Sequence, residues 1–271
     1  MINTYLNRWK VIPDGEPIIT HTSQLFPVKT ATNGLKAMLK LTDDKDEQTG
    51  CELMAWWDGI GAAKVLAHEN GALLLERATG IASLRAMSES GQDDEACRII
   101  SLTARRLHLA RKKPLPTLTS LHHWFSALVR STQTQGGTMS LCVEAAKELL
   151  SSPRDVVVLH GDLHHDNVLD FGTSGWLAID PKGLIGERGF DYANIFTNPD
   201  LANPNCQIAI KPERFVQRLN IVTKVANLER QRLLLWIMAW CGLSTSWFQE
   251  SNSDNPIPMQ VAELAIAELS R

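Results

Sequence analysis

The chain has 271 residues, 44% hydrophobic and 21% charged, which is enough apolar material for a buried core and unlike a disordered segment. A formal net charge of −3 excludes the basic field of a nucleic-acid binder, and no apolar run is long enough to span a bilayer. The cysteines, Cys51, Cys97, Cys142, Cys206 and Cys241, are scattered and odd in number, so reduced thiols in a cytoplasmic protein are expected, and residues 1–16 show no secretory apolar stretch.

In chain order, the first 77 residues read as strands broken by turns. Residues 18–20, 34–41, 63–68 and 72–76 are strand-like, with turn residues at 32–34 and 69–71. Between them, residues 43–57 suit a helix whose acidic start favours the positive end of the peptide dipole. Beyond Ala78, Thr79 and Gly80 the periodicity becomes helical. Ala96, Ile99, Ile100, Thr103 and Leu107 mark one face of residues 93–110, and similar patterns return over 119–131, 139–151, 211–226 and 228–250. Three short strand candidates, 156–160, 168–170 and 176–180, interrupt this half. The expected architecture is α+β and bilobal. A small β-rich lobe with one helix covers 1–77, a larger, mainly helical lobe covers 78–271, and a ligand cleft lies between them.

The densest chemistry is in HGDLHHDNVL, residues 160–169, followed by GWLAIDPKGLIGERGFDYAN, residues 175–194. Asp162 falls where a strand breaks into a loop, Asn167 follows, and Asp180 ends the next strand, so a small hairpin delivers three oxygen-bearing side chains to one side. Phosphoryl transfer needs an oriented attacking hydroxyl and hard cations on the triphosphate. The amide of Asn167 and the carboxylate of Asp180 suit Mg2+, which leaves Asp162 to accept a hydrogen bond from the substrate hydroxyl. A lone loop Asp is more often a cap or turn former; the three together carry the reading. A zinc site from His160, His164 and His165 lacks cysteine partners and a helical context. These histidines are read as packing or loop-bonding groups, with His164 supporting the loop's shape.

The spacing H-x-D-L-x-x-x-N from His160 to Asn167 follows the kinase catalytic-loop signature, with Gly161 where protein kinases carry Arg. With Ile179, Asp180 and Pro181 it resembles the aminoglycoside phosphotransferase family, kin of the protein kinases. The longer matches above, with CGLSTSW over 241–247, most resemble its streptomycin 6-kinase and hydroxyurea-kinase branch. The resemblance implies a protein-kinase-like fold that uses ATP, or another nucleoside triphosphate, with Mg2+. It implies that Asp162 is catalytic and that Asn167 and Asp180 bind the metal. By the same resemblance Lys40 is the phosphate lysine, Glu47 is its ion-pair partner with Glu52 as rival, and backbone groups of Glu76 and Ala78 meet adenine. The glycine-rich loop of protein kinases is missing from residues 22–29, leaving Ser23 as the candidate to cover the phosphates.

The acceptor implied is a small-molecule hydroxyl, with a streptomycin-type aminoglycoside in antibiotic resistance as the leading reading. Hydroxyurea or a metabolite alcohol such as choline or a sugar is the alternative, and a nucleotide-binding pseudokinase is the reading of another class. Because aminoglycosides are polycations, carboxylates are sought. Glu187 and Asp191 lie nearest the motif and Glu250 and Asp254 later, each also a natural capping or surface acid. Trp240 and Trp247, at helical spacing, are read as core. A monomer is expected, with a dimer as alternative, and with a cationic small molecule rather than nucleic acid or membrane as partner.

Overall fold

In a computed structural model that describes residues 2–130 and 136–271, the N-terminal region is an antiparallel sheet flanked by two helices. Helix α1 (Ile2–Arg8) leads into strands β1 (Val11–Pro13), β2 (Ile18–Ile19), β3 (Gln24–Thr30) and β4 (Lys36–Leu41). Helix α2 (Lys45–Trp57) separates these from β5 (Val65–Glu69) and β6 (Ala72–Glu76). The strand order is β1-β3-β4-β6-β5, with β2 paired to β3. Period-two alternation decides what each face carries. On β4, Ala37, Leu39 and Leu41 join Val11, Val28, Ala72 and Leu74 in a small core closed by Tyr5, Leu6 and Trp9. Met38 and Lys40 point the other way, into the cleft. Most of 22–29 is β3, preceded by a tight turn in which Thr20 N–H meets the Ser23 carbonyl at 2.9 Å.

Asp44 caps α2 by accepting the amides of Asp46 and Glu47, both at 3.0 Å, which explains the acidic start of this segment. The buried face of α2, with Cys51, Leu53, Met54 and Trp57, shares one large core with Leu73, Leu75 and the C-terminal helices. Gly50 sets how closely α2 approaches that region. A Cβ there would lie 2.1 Å from the Pro181 carbonyl oxygen. A mid-helix glycine costs about 1 kcal/mol, and here it admits the backbone beside Asp180.

The C-terminal region begins with α3 (Leu84–Glu89) and α4 (Asp93–Leu107), then β7 (Thr119–Ser120), α5 (Leu121–Trp124), α6 (Ser126–Arg130) and α7 (Thr138–Ser151). The helix expected over 119–131 is thus a strand and two short helices, with residue 131 outside the described residues. Four short strands follow: β8 (Val156–Leu159), β9 (Val168–Asp170), β10 (Trp176–Ala178) and β11 (Leu184–Glu187). The chain closes with α8 (Gly189–Ala193), α9 (Pro212–Ala226), α10 (Arg230–Glu250) and α11 (Ile257–Leu269). Helix α10 is largely buried because α7, α8 and α11 pack around it. Among the described residues no helix is long and apolar enough to cross a membrane. The five cysteines are free, and the expected division at 77/78 falls just past β6.

Candidate active site

Strands β9 and β10 form an antiparallel hairpin, with Val168 opposite Ala178 and Asp170 opposite Trp176. Asn167 enters it and Asp180 leaves it, and Ile179 N–H bonds the Asn167 carbonyl at 2.9 Å. The Asn167 side-chain amide donates to the Asp162 carbonyl at 2.8 Å and more weakly to Asp162 Oδ2 at 3.3 Å. Asp162 Oδ1 accepts from Asn194 Nδ2 at 3.0 Å. The Asp162 carboxylate is therefore held by two neutral amides, and its side chain stays 31% exposed toward a pocket.

Asp180 adopts a left-handed backbone, φ 60°, and its carboxylate meets Lys40 and, at 3.8 Å, Lys182. Glu47 likewise binds Lys40 and, at 3.0 Å, Lys182, while Ser23 Oγ donates to it at 3.4 Å. Two ammonium and two carboxylate groups thus alternate. Burial works against charge on both lysines, but Asp180 and Glu47 outweigh it and hold both above the ordinary lysine range. Burial would raise Asp180, yet Lys40 and Lys182 keep its carboxyl below the usual value. Glu47, rather than the exposed Glu52, takes the place beside Lys40.

The loop carrying Asp162 is fixed from beneath by Asp191 in α8. Asp191 accepts the His160 and Gly161 amides, each at 2.8 Å, and meets His108 Nε2 at 2.8 Å. Burial would raise this carboxyl, but the His108 hydrogen bond and charge and the loop amides keep it below its ordinary value. His160 stacks on Trp57 with ring centroids 6.1 Å apart, accepts the Asp162 amide on Nδ1 at 3.2 Å and donates from Nε2 to the Ile179 carbonyl at 2.8 Å. Burial lowers its pKa, and an Nδ1 that accepts an amide carries no proton. Gly161 has φ +87°, and a Cβ there would lie 2.8 Å from Leu184 Cδ1, so an L side chain is excluded on two counts. His164 accepts the Asp166 amide on Nδ1 at 3.3 Å, within the same loop.

The two regions enclose a cleft of about 630 Å³ lined by Ser23, Lys40, Glu47, Asn167 and Asp180, with Glu76 at the end of β6 and Ala78 just past it. The Glu76 amide is committed to the Lys64 carbonyl at 2.9 Å, whereas the Ala78 amide donates to no carbonyl among the described residues. A second pocket of about 390 Å³ adjoins Asp162 and is walled by the end of α10. The side-chain Oδ1 of Asn167, which accepts no hydrogen bond among the described residues, and the Asp180 carboxylate fit Mg2+. They are hard oxygen donors, and too few to hold it without phosphate oxygens and water.

Two expectations about the acceptor are corrected. Glu187 lies at the end of β11 paired with Val156, a strand's length from the Asp162 loop that leaves β8 after Leu159. Its carboxylate is buried against Arg232, with both bonds at 2.6 Å, and against Trp236 Nε1 at 2.8 Å. Asp191 is wholly buried under the loop, so neither acid can reach a ligand. Glu250 and Asp254 are exposed and outside the pocket beside Asp162; Trp240 is buried in the core as expected, Trp247 packs against that core, and both also line the pocket. The sequence reading missed Lys182, Asn194 and His108. The first two stand inside the quoted motif as polar residues without an assigned task. His108 carries no local signal, because only the fold brings it to Asp191.

The chain matches the family described as aminoglycoside/hydroxyurea antibiotic resistance kinase over residues 8–252. It is 51% identical over 243 residues, 90% of each chain, to the streptomycin 3''-kinase of Klebsiella pneumoniae. It is 30% identical to the streptomycin 6-kinase of Streptomyces griseus, over 95% of this chain and 85% of that one. Among solved structures, an amicoumacin kinase in complex with AMP-PNP superposes with a TM-score of 0.64 at 13% identity, covering 99% of this chain and 93% of that one. An aminoglycoside phosphotransferase in ternary complex with ADP and hygromycin B gives 0.64 at 11% identity, covering 99% and 97%. The chain therefore belongs to the aminoglycoside/hydroxyurea antibiotic resistance kinases, phosphotransferases with a protein-kinase-like α+β fold.

Proposed function

We propose that the protein transfers the γ-phosphoryl group of ATP to the 3'' hydroxyl of streptomycin. The observation that carries this reading is the 51% identity to a streptomycin 3''-kinase over 90% of both chains. The site's geometry supports it. Asp162, with Oδ1 held by Asn194, accepts the hydrogen bond of the acceptor hydroxyl and aims it at the γ-phosphorus. Asn167 and Asp180 would hold Mg2+, which would neutralise charge on the triphosphate oxygens. Lys40 and Lys182 face the phosphates from the same cluster, with Ser23 on the turn above, while the Glu76 carbonyl and Ala78 amide meet adenine. The acceptor is cationic, and the enzyme works as a cytoplasmic monomer.

Purified protein given ATP and Mg2+ should phosphorylate streptomycin, and NMR of the product should place the phosphate on the 3'' oxygen. Phosphate on the 6-hydroxyl would move the reading to the other branch, and turnover of hydroxyurea alone would refute it. Asp162→Ala should lower kcat by about 10²–10⁴-fold while leaving nucleotide affinity intact. Unchanged turnover would remove Asp162 from the reaction.

A further inference from the structure

A site for a polycation is ordinarily sought among acids, yet among the described residues Asp162 is the one carboxylate in the pocket beside its own loop. His164 stands beside it, with Nε2 3.7 Å from Asp162 Oδ1, and the remaining wall holds no other titratable side chain. Trp240, Trp247 and Phe248 line it from the last turns of α10, with Asn198 and Ser244 as uncharged polar groups. Trp247 is half-buried and held edge-to-face by two neighbours: Trp124 at 5.6 Å and 78°, and Trp240 at 5.8 Å and 79°. Trp240 is itself anchored by Nε1 donating to Thr197 Oγ1 at 3.1 Å and by Phe190 at 5.8 Å. This ladder fixes the indole before any ligand arrives, so little side-chain freedom is lost on binding.

We infer that Trp247, supported by Trp240 and Phe248, is the cation-recognition surface of the acceptor site. An amine or guanidinium group of the acceptor lies against the indole while a hydroxyl faces Asp162. The physical reason is the ring quadrupole: an indole face attracts a cation, and a planar, weakly hydrated guanidinium suits it especially well. Such a wall adds no formal negative charge to a cleft that must also hold a triphosphate, where a further carboxylate would repel it. The inference rests on the streptomycin reading above and goes beyond it, since it says which side chains select a cationic acceptor.

The test is steady-state kinetics with streptomycin and ATP on the wild type and on Trp247→Tyr, Trp247→Phe and Trp247→Leu, each checked by thermal unfolding. The Leu variant should raise KM for streptomycin roughly 3- to 30-fold, the range of a cation–π contact, with KM for ATP unchanged. Tyr and Phe should fall between, in that order. If the Leu variant unfolds, the aromatic series alone decides, because those rings keep the packing. Unchanged KM in the Leu variant, or equal loss in all three, overturns the inference while the streptomycin reading stands. A wild type inert toward streptomycin overturns both.

Discussion

Replacing Asp191 by Asn exchanges one carboxylate oxygen for an NH₂ group in a buried site that holds three donors. Oδ2 takes the His160 amide and His108, and Oδ1 takes the Gly161 amide, all at 2.8 Å. Whichever way the new amide turns, its NH₂ faces a backbone N–H, from Gly161 in one orientation and from His160 in the other. One buried N–H is left without an acceptor, at about 1–3 kcal/mol, and the remaining bonds lose their charge assistance. A total of about 2–4 kcal/mol corresponds to a melting temperature lower by roughly 5–15 °C in a chain of this size. The same change loosens the loop that aims Asp162, and a misplacement on the order of 1 Å costs about 100-fold in rate. Circular-dichroism melting with steady-state kinetics should therefore show lost stability and lost kcat, with KM for the acceptor within a few-fold of wild type. An unchanged melting temperature with a selective rise in acceptor KM would refute this and return Asp191 to the acceptor site.

Lys182→Met should weaken ATP binding about 10- to 100-fold, the worth of one charge-assisted contact, while leaving adenosine affinity unchanged in calorimetry. Equal effects on both ligands would mean that Lys182 serves only to hold Glu47. Asp93 is buried against Arg218, at 2.6 and 2.9 Å, and Arg214. Burial would raise its carboxyl, but these guanidiniums hold it far below the ordinary range. With the folded value below the unfolded one, its stabilisation is complete above about pH 4 and is lost as pH falls through the folded value. Urea unfolding between pH 6 and 2.5 should show the wild type losing up to about 1.4 kcal/mol per pH unit more than Asp93→Asn. Parallel curves would refute it.

The candidate site was legible in sequence where a short segment brings its residues together. Strand β8, the loop from His160 to Asn167 and the β9–β10 hairpin bring Asp162, Asn167 and Asp180 together through local geometry alone. Helices α2, α4, α9 and α10 declared themselves by long apolar faces or acidic starts. Short elements such as α8 and β11 did not, since their stability comes from partners distant in sequence: β11 is paired by β8 and β7, and α8 is packed by α10. Strand β3 was hidden by Pro27, which breaks the apolar alternation even though the strand pairs β4 along its length. The acids failed as acceptor ligands because nothing local distinguishes a carboxylate that faces a ligand from one that faces Arg232 or two loop amides.

A division of labour follows from these failures. The residues proposed to carry chemistry have identities set by it: a carboxylate, an amide, an ammonium. The residues that position them have identities set by space. Gly50 is glycine because the Pro181 carbonyl occupies the place of its Cβ, and that contact brings Glu47 to Lys40 and Lys182. Gly161 is glycine because Leu184 and a left-handed φ leave no alternative, and its side chain is dispensable because Asp191 grips the loop by backbone amides instead. An anchor made of amides asks nothing of the anchored side chains, so the loop can keep its shape while position 161 departs from the arginine of protein kinases. The same logic explains Asp191: its carboxylate is ringed by three donors and its side chain is wholly buried, so it offers no accessible face to a cation.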